Sequence, residues 1–383
     1  MITVRGCTSE QDLRDAWRVR ALAFGGPRTP VPDWTDGGWH GWLAELDGRV
    51  CGFARAWPYR QFFGGRAVPM AGLASVAVDP YARGHGVASA LLDAVLPALR
   101  ESGQPISALY PSVAALYRGR GWERVGVLEW FDVPLVALRA VPRPSQPVRL
   151  RPAGLDDVAQ LHDCYLRLAA TVDGLLDRSG APFDLSRVLE LDIVTMVEGA
   201  RGYLSASRAG HELVVYDLVA FDADASLGLL RSVASWAGQL PAARLRLLQP
   251  RALLPTELGT ALSSEYWMLR VVDLPAAVAA RGWPCARSLR PGLSVDIEVV
   301  DEHAPWHAGR HRLVVSDGAT VLLEPGGSGA VRLTARGLAA WYAGSARAME
   351  LHRAGLLSGD LAAAAVLDAF TGAGGTPRLA DAF

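Results

Sequence analysis

Residues 76–92, Val-Ala-Val-Asp-Pro-Tyr-Ala-Arg-Gly-His-Gly-Val-Ala-Ser-Ala-Leu-Leu, leave the chain few local choices. A β-branched run stops at Pro80, and two glycines punctuate a turn. Apolar residues at 87, 91, 94, 95 and 99 then recur at helical spacing. A strand that feeds a helix through such a turn forms an anion cradle. Gly84 and Gly86 admit close backbone approach, and the first helical turn offers free N–H groups and the positive end of a dipole. Arg83 adds a fork of charged donors. His85 lies inside the turn, where it either touches a phosphate or is solvated. A glycine-rich turn that binds nothing is the plain alternative for this segment taken alone.

The residues downstream favour the cradle. The helix from Val87 ends at Ser102-Gly103, and a second strand, Ile106 to Tyr110, leads into Pro111-Ser112-Val113-Ala114-Ala115-Leu116-Tyr117-Arg118-Gly119-Arg120-Gly121-Trp122. Arg83-x-x-Gly86-x-Ala88 resembles the acyl-CoA-binding signature (Q/R)-x-x-G-x-(G/A) of the GNAT N-acetyltransferase superfamily. The segment ending Tyr117-x-x-x-Gly121-Trp122 resembles that superfamily's A-x-x-x-Y-x-x-x-G-(F/Y). Two motifs in the right order are far more specific than either.

Composition sets outer limits. A chain of 383 residues, 50% hydrophobic and 20% charged, is long enough for two or three domains with proper cores. Its net charge of −1 gives no electrostatic case for nucleic acid or an anionic membrane. No apolar run approaches the ~18 residues of a membrane span, and the first residues lack a signal segment, so the cytoplasm is the expected compartment. The 4 cysteines have no C-x-x-C spacing and read as reduced thiols. All 38 basic residues are arginine, which excludes a lysine nucleophile or Schiff base.

The chain repeats itself. Ile2-Thr3-Val4-Arg5 followed by Asp12-Leu13 recurs as Val148-Arg149-Leu150-Arg151 followed by Asp157-Val158, about 146 residues on. A proline-rich linker, 141–147, separates the copies. Where the first copy has its arginine and glycines, the second has Asp222-Ala223-Asp224-Ala225-Ser226, and two carboxylates there would repel a pyrophosphate. The second copy is therefore expected to be a relic without cofactor. The last hundred residues read as a small α+β domain.

Taken whole, the sequence resembles the enhanced intracellular survival (Eis) acetyltransferase family. The resemblance rests on Ala23-Phe24-Gly25, Gly64-Gly65, Val68-Pro69-Met70-Ala71-Gly72, the cofactor turn, 107–122, Asp301-x-x-Ala304-Pro305-Trp306-x-x-Gly309 and the terminal Phe383. It implies an α/β (α+β) fold of tandem GNAT-like domains, the first catalytic over 1–140 and the second degenerate over 148–275. A sterol-carrier-protein-like domain over 276–383 follows. It further implies acetyl transfer from acetyl-CoA to primary amines of small molecules, including aminoglycosides in several members, by a homohexamer.

Residue by residue, the resemblance implies backbone contacts to the donor from Val76, Ala77 and Val78, with one N–H serving the oxyanion. Pyrophosphate contacts come from Arg83, Gly84, His85, Gly86, Val87, Ala88 and Ser89, with Ser112 and Arg118 nearby. The C-terminal carboxylate of Phe383 is the expected base. The sequence departs from the family at Trp122, which stands where the best-known members have a tyrosine acid; indole donates no proton at relevant pH. Tyr117 is the candidate acid instead, or else packs against the donor's chain. Trp34, Trp39 and Trp42, with Asp33 and Asp36, either line an amine pocket or belong to the core. His303, His307 and His311 share a four-residue spacing, but Pro305 and Gly309 break any helix between them, so no metal site is expected. Two other classes stay open: a catalytically weak acyl-CoA-binding or sensing protein, and an apolar-ligand carrier using the last domain.

Overall fold

The computed structural model describes residues 1–27, 38–249, 262–318 and 320–383. The first half runs β1 (Ile2–Gly6), α1 (Glu10–Phe24), β2 (His40–Leu46), β3 (Arg49–Phe63), β4 (Arg66–Val78), α2 (Val87–Glu101), β5 (Ile106–Leu109), α3 (Ala114–Arg118) and β6 (Glu123–Pro134). The second runs β7 (Leu150–Pro152), α4 (Val158–Ala169), β8 (Ile193–Val197), β9 (Gly202–Ala209), β10 (Glu212–Ala220), α5 (Ala223–Ala234), β11 (Ala242–Arg246) and β12 (Leu262–Val271).

The internal repeat is visible in the topology. Strands β3 and β4 pair antiparallel, α2 follows, and β5 returns parallel to β4. Strands β9 and β10 likewise pair antiparallel, α5 follows, and β11 returns parallel to β10. The copies are fused into one twelve-stranded sheet, ordered β1-β2-β3-β4-β5-β12-β6-β11-β10-β9-β8-β7. Strand β12 of the second copy lies inside the first, bonded antiparallel to β5 at Met268–Leu109 and to β6 at Tyr266–Val127. Strand β6 in turn bonds β11 at Val133–Ala243. Each half thus completes the other's hydrogen-bond ladder.

Helix α2 forms as its pattern predicts. Val87, Leu91, Leu92, Val95, Leu96 and Leu99 are all buried, each such side chain contributing about 1.5–3 kcal/mol. They pack on Ala54, Ala56 and Leu73 of the sheet.

The third unit contains α6 (Leu274–Ala280), β13 (Ser294–Val300), β14 (Gly309–Val315), β15 (Val321–Pro325), β16 (Val331–Thr334), α7 (Ala335–Ala343), α8 (Ala348–Arg353), β17 (Leu357–Gly359) and α9 (Leu361–Thr371). Its five strands are ordered β15-β14-β13-β16-β17. Ile297, Trp341 and Phe370 share one apolar cluster with Phe63, Met70 and Trp267, so this unit is packed onto the first half. The Asp301-x-x-Ala304-Pro305-Trp306-x-x-Gly309 motif works as a latch. Asp301 Oδ1 accepts from the N–H groups of His303 and Ala304, while Oδ2 meets fully buried Arg270 of β12 at 2.6 Å and His307 at 3.0 Å. Trp306 donates to the carbonyl of Val272. The three histidines therefore have separate partners: His303 faces Asp93, His307 faces Asp301, and His311 faces the His307 carbonyl.

Among the described residues, no helix is long and apolar enough to cross a membrane.

Candidate active site at the fork of two parallel strands

Strands β4 and β5 pair only at Met70–Ile106, Ala71–Ser107 and Gly72–Ala108. Beyond Gly72, β4 runs on to Val78 while β5 stops at Leu109, so the sheet forks. Within the free arm, β4 bulges against β3: Phe53 faces Ala77 and Arg55 faces Ala74, leaving Ser75 and Val76 opposite the single residue Ala54. Ser75 adopts φ +53, a conformation L-residues avoid. A strained bulge in an open strand arm is where a site re-aims backbone groups.

The free arm ends in the cradle. Asp79 is buried, accepts from the N–H of Tyr81 and is gripped by Arg49 at 3.3 Å and Arg18 at 3.5 Å. That cap starts the Pro80–Ala82 turn. Gly84 and Gly86 follow with φ +81 and +84, values that require glycine, and a side chain on Gly84 would meet nothing within 4 Å. Gly86 precedes α2 without any side-chain cap, so the first N–H groups of the helix, around Val87, Ala88 and Ser89, are left for a ligand. Arg83 and His85 are exposed, and His85 Nδ1 lies 3.1 Å from the Arg83 carbonyl. The equivalent helix in the second half is closed. Asp222 accepts from the N–H of Ala225 at the start of α5 and is held by Arg201, and Asp224 accepts from Ser145.

Tyr117 is buried in the same apolar cluster as Val76, Val78, Ala82 and Val87. Burial pushes its hydroxyl up to about 12. Trp122 lies fully buried behind it, edge-on at 6.3 Å. Ser112 is an exposed bend residue after Pro111. Arg118 spends its fork on Glu123, at 3.0 and 2.6 Å, and Glu123 is bridged again by Arg336 of α7. Trp39 packs edge-on against Phe53 at 6.1 Å, and Trp42 flanks the α2 cluster. Asp33, Trp34 and Asp36 lie outside the described residues.

The C-terminal tail reaches the fork from the far side. Val127 of β6 donates to the Pro377 carbonyl and accepts from Leu379, so the tail adds one parallel bridge to the sheet. Arg378 pairs with Glu129. Tyr110, just past the end of β5, donates to the carbonyls of Leu379 and Asp381 at 3.3 Å each. The ring of Phe383 then settles 5.2 Å from that of Tyr59 and 5.8 Å from that of Tyr110. It covers Gly72, the last β4 residue paired to β5. The chain's last residue therefore stands where the two strands part.

Sequence reasoning missed three arginine and aspartate partners beneath this tail. Arg178 meets Asp217 at 2.6 and 3.1 Å and Asp381 at 3.0 Å. Arg246 meets Asp217 at 2.9 Å and donates to the Ala380 carbonyl. Burial alone would raise the Asp217 carboxyl, but the two guanidiniums and the Tyr203 hydroxyl hold it well below the usual range. These residues lie far apart in sequence and form no motif. The bulge at Ser75 was equally silent, since Ala-Ser-Val-Ala reads as unbroken strand.

Residues 3–125 match the family model of an acetyltransferase (GNAT) domain, and residues 274–380 match that of a sterol carrier protein domain. A GCN5-related N-acetyltransferase from Kribbella flavida has a TM-score of 0.85 at 30% identity, over 100% of this chain and 98% of that one. Eis1 from Mycobacterium abscessus has a TM-score of 0.76 at 22% identity, over 100% of both chains, which is a likeness of fold. A protein described as an uncharacterized N-acetyltransferase, from Streptomyces avermitilis, is 28% identical over 344 residues, 82% of each sequence.

Proposed function

Because the chain belongs to the GCN5-related N-acetyltransferase family, we propose that it transfers an acetyl group from acetyl-CoA to a primary amine of a small molecule, with the C-terminal carboxylate of Phe383 as base. N-acetyl transfer comes with the family; the donor, the acceptor class and the base are the added reading. The observation that carries it is the seat of Phe383 at the β4–β5 fork, against Gly72, Tyr59 and Tyr110.

Acetyl-CoA would supply a thioester carbonyl as electrophile. The residues present fit such a donor. An uncapped helix start behind two left-handed glycines suits a pyrophosphate, and Arg83 stands exposed beside them. The β4 bulge frees backbone at Ser75 and Val76, and the N–H of Val76 is the candidate partner for the oxyanion. The half-buried side chains of Val76 and Val78 and the buried Ala77 line the arm.

An alkylammonium gives up its proton near pH ~10.4, and a C-terminal carboxylate takes one only near ~3.5. Direct deprotonation is therefore steeply uphill. An ammonium has no lone pair, so attack comes from the small neutral fraction, whose first proton has gone to solvent. The second N–H becomes acidic once that nitrogen has begun to bond to the carbonyl carbon, and at that stage a carboxylate held at the reacting nitrogen suffices. Tyr117 serves the other end. A phenol near 12 stays protonated and cannot fully protonate a thiolate of ordinary basicity, about 8.5. Its part is to hold the departing sulfur by a hydrogen bond, while the proton shed by the amine completes the thiol.

The open cradle, the occupied fork and the carrier-like third unit support an Eis-like reading of the whole chain. Such a protein would be a cytoplasmic hexamer, which sedimentation velocity and cell fractionation measure directly. The test of function is release of free CoA thiol from acetyl-CoA against a panel of primary amines. Acetylated product with at least one amine is expected; tight CoA binding with no turnover on any amine would replace catalysis with sensing.

A further inference from the structure

We infer that the second half of the chain, which has no open cradle of its own, acts as a positioning clamp for the C-terminal base, through Arg178 gripping Asp381. This rests on the reading of Phe383 as base. A chain terminus frays unless something ties it down. The last backbone bond of the tail to a strand is Leu379 to Val127, four residues short of the carboxylate. What holds the remainder is side chains: Tyr59 and Tyr110 of the first half seat the ring of Phe383, and Arg178 and Arg246 of the second half hold Asp381 and the Ala380 carbonyl.

The grip is built in layers. Arg178 directs Nε at Asp381, 3.0 and 3.2 Å from its two oxygens, and both Nη atoms at Asp217. Its guanidinium lies over the ring of Tyr165 at 3.9 Å, which removes the remaining freedom of the fork. Asp217 is buried and anchored from the other side by Arg246 and by the hydroxyl of Tyr203 at 2.8 Å. Arg246 also reaches forward to the Ala380 carbonyl at 2.6 Å. Two arginines and two aspartates balance, so the cluster needs no counterion. Arg178 itself holds φ +50, a strained conformation for a side chain of that size. Strain of this kind persists where the surroundings fix a residue for a purpose.

Phe383 is two residues beyond Asp381, so pinning that aspartate keeps the terminal residue within about 7 Å of it. Asp381 also borders a cavity lined by Leu161, Tyr165, Phe183 and Val188. Direct contact of Asp381 with the acceptor is therefore the rival to be separated. Removing Asp381 leaves Arg178 paired with Asp217, so the fold is not put at risk by an orphaned buried charge.

The experiment is a double-mutant cycle of Asp381→Ala and deletion of Phe383, with kcat, both KM values and the thermal midpoint measured for all four proteins. A clamp requires Asp381→Ala to lower kcat about 10- to 100-fold, the cost of misplacing a reacting group by about 1 Å. KM for acetyl-CoA and the midpoint should change little, and Asp381→Glu should recover part of kcat. In the Phe383-deleted protein the terminal carboxylate belongs to Ala382, about 3.5 Å back along the chain; the same substitution should change residual turnover less than 2-fold there, because no base stands at the reacting position to be held. Equal losses in both backgrounds, or a loss confined to KM for the amine, would overturn the clamp in favour of acceptor contact. Unchanged kcat in Asp381→Ala beside a large loss on deleting Phe383 would overturn the clamp alone. Unchanged kcat on deleting Phe383 would overturn the base and the clamp together.

Discussion

Gly72 lies under the ring of Phe383: a Cβ built on Gly72 would come within 3.0 Å of the phenylalanine Cδ2. It would also press on the ring of Tyr59 at 2.6 Å. A flat, hydrogen-only surface on the last paired residue of β4 is what lets the C-terminus into the fork. Gly72→Ala is expected to lower kcat about 10-fold or more and to cost about 1–3 kcal/mol of stability through overpacking. Steady-state kinetics and chemical denaturation check both. An alanine variant with normal kcat would mean that the ring's seat is irrelevant to turnover.

The cradle should respond differently. Gly86 sits at φ +84 immediately before α2, so Gly86→Ala forces an L-residue into the left-handed region at a cost of about 1–2 kcal/mol. The expected signature is a raised KM for acetyl-CoA with kcat kept within a few-fold, and weaker CoA binding by calorimetry. A fall in kcat with unchanged CoA affinity would place the defect elsewhere.

Tyr117→Phe keeps the packing in the α2 cluster and removes the hydroxyl. The expected loss in kcat is about 10-fold, less than the roughly 100-fold that one donor to an oxyanion is worth, because a thiolate is already a good leaving group. Because burial pushes Tyr117 up to about 12, its ionisation lies above the working range. A pH–rate profile between 6 and 9 should therefore keep its shape in the variant while its height drops. An alkaline limb below pH 10 that disappears with the hydroxyl would contradict this.

The latch between β12 and the third unit predicts acid sensitivity. Burial opposes ionisation of Asp301, yet His307 and Arg270 hold its carboxyl down to about 2. A carboxyl depressed on folding contributes stability above its unfolded value of about 3.9 and loses that contribution as pH falls towards 2. Asp301→Ala leaves Arg270 buried and unpaired, a change that costs about 3–5 kcal/mol. Denaturant midpoints at pH 7 should therefore separate wild type from variant widely. The gap should narrow as pH falls from 4 to 2, and a constant gap would contradict the ion pair.

Much of this fold could be read from the chain because the informative residues are local. The cradle follows from glycine conformations and a helical period within seventeen residues, and the repeat from two short strand–helix openings. The terminal phenylalanine was identifiable only through family resemblance, since nothing in its neighbours says where a tail goes. What could not be read is long-range. The insertion of β12 between β5 and β6 depends on strand pairing across more than a hundred residues. The Arg178–Asp217–Arg246 cluster joins one loop and two strands that share no motif. In a chain whose only basic side chains beyond histidine are arginines, one buried arginine looks like any other. The bulge at Ser75 is a backbone property that its side chain does not announce.

The most direct measurement adds one glycine after Phe383. The ring can keep its place against Tyr59 and Tyr110, but the carboxylate moves about 3.5 Å along the chain. If that carboxylate is the base, kcat should fall at least 100-fold while acetyl-CoA binding, measured by calorimetry, stays at the wild-type value. Wild-type kcat in the extended protein would show that the proton leaves by another route.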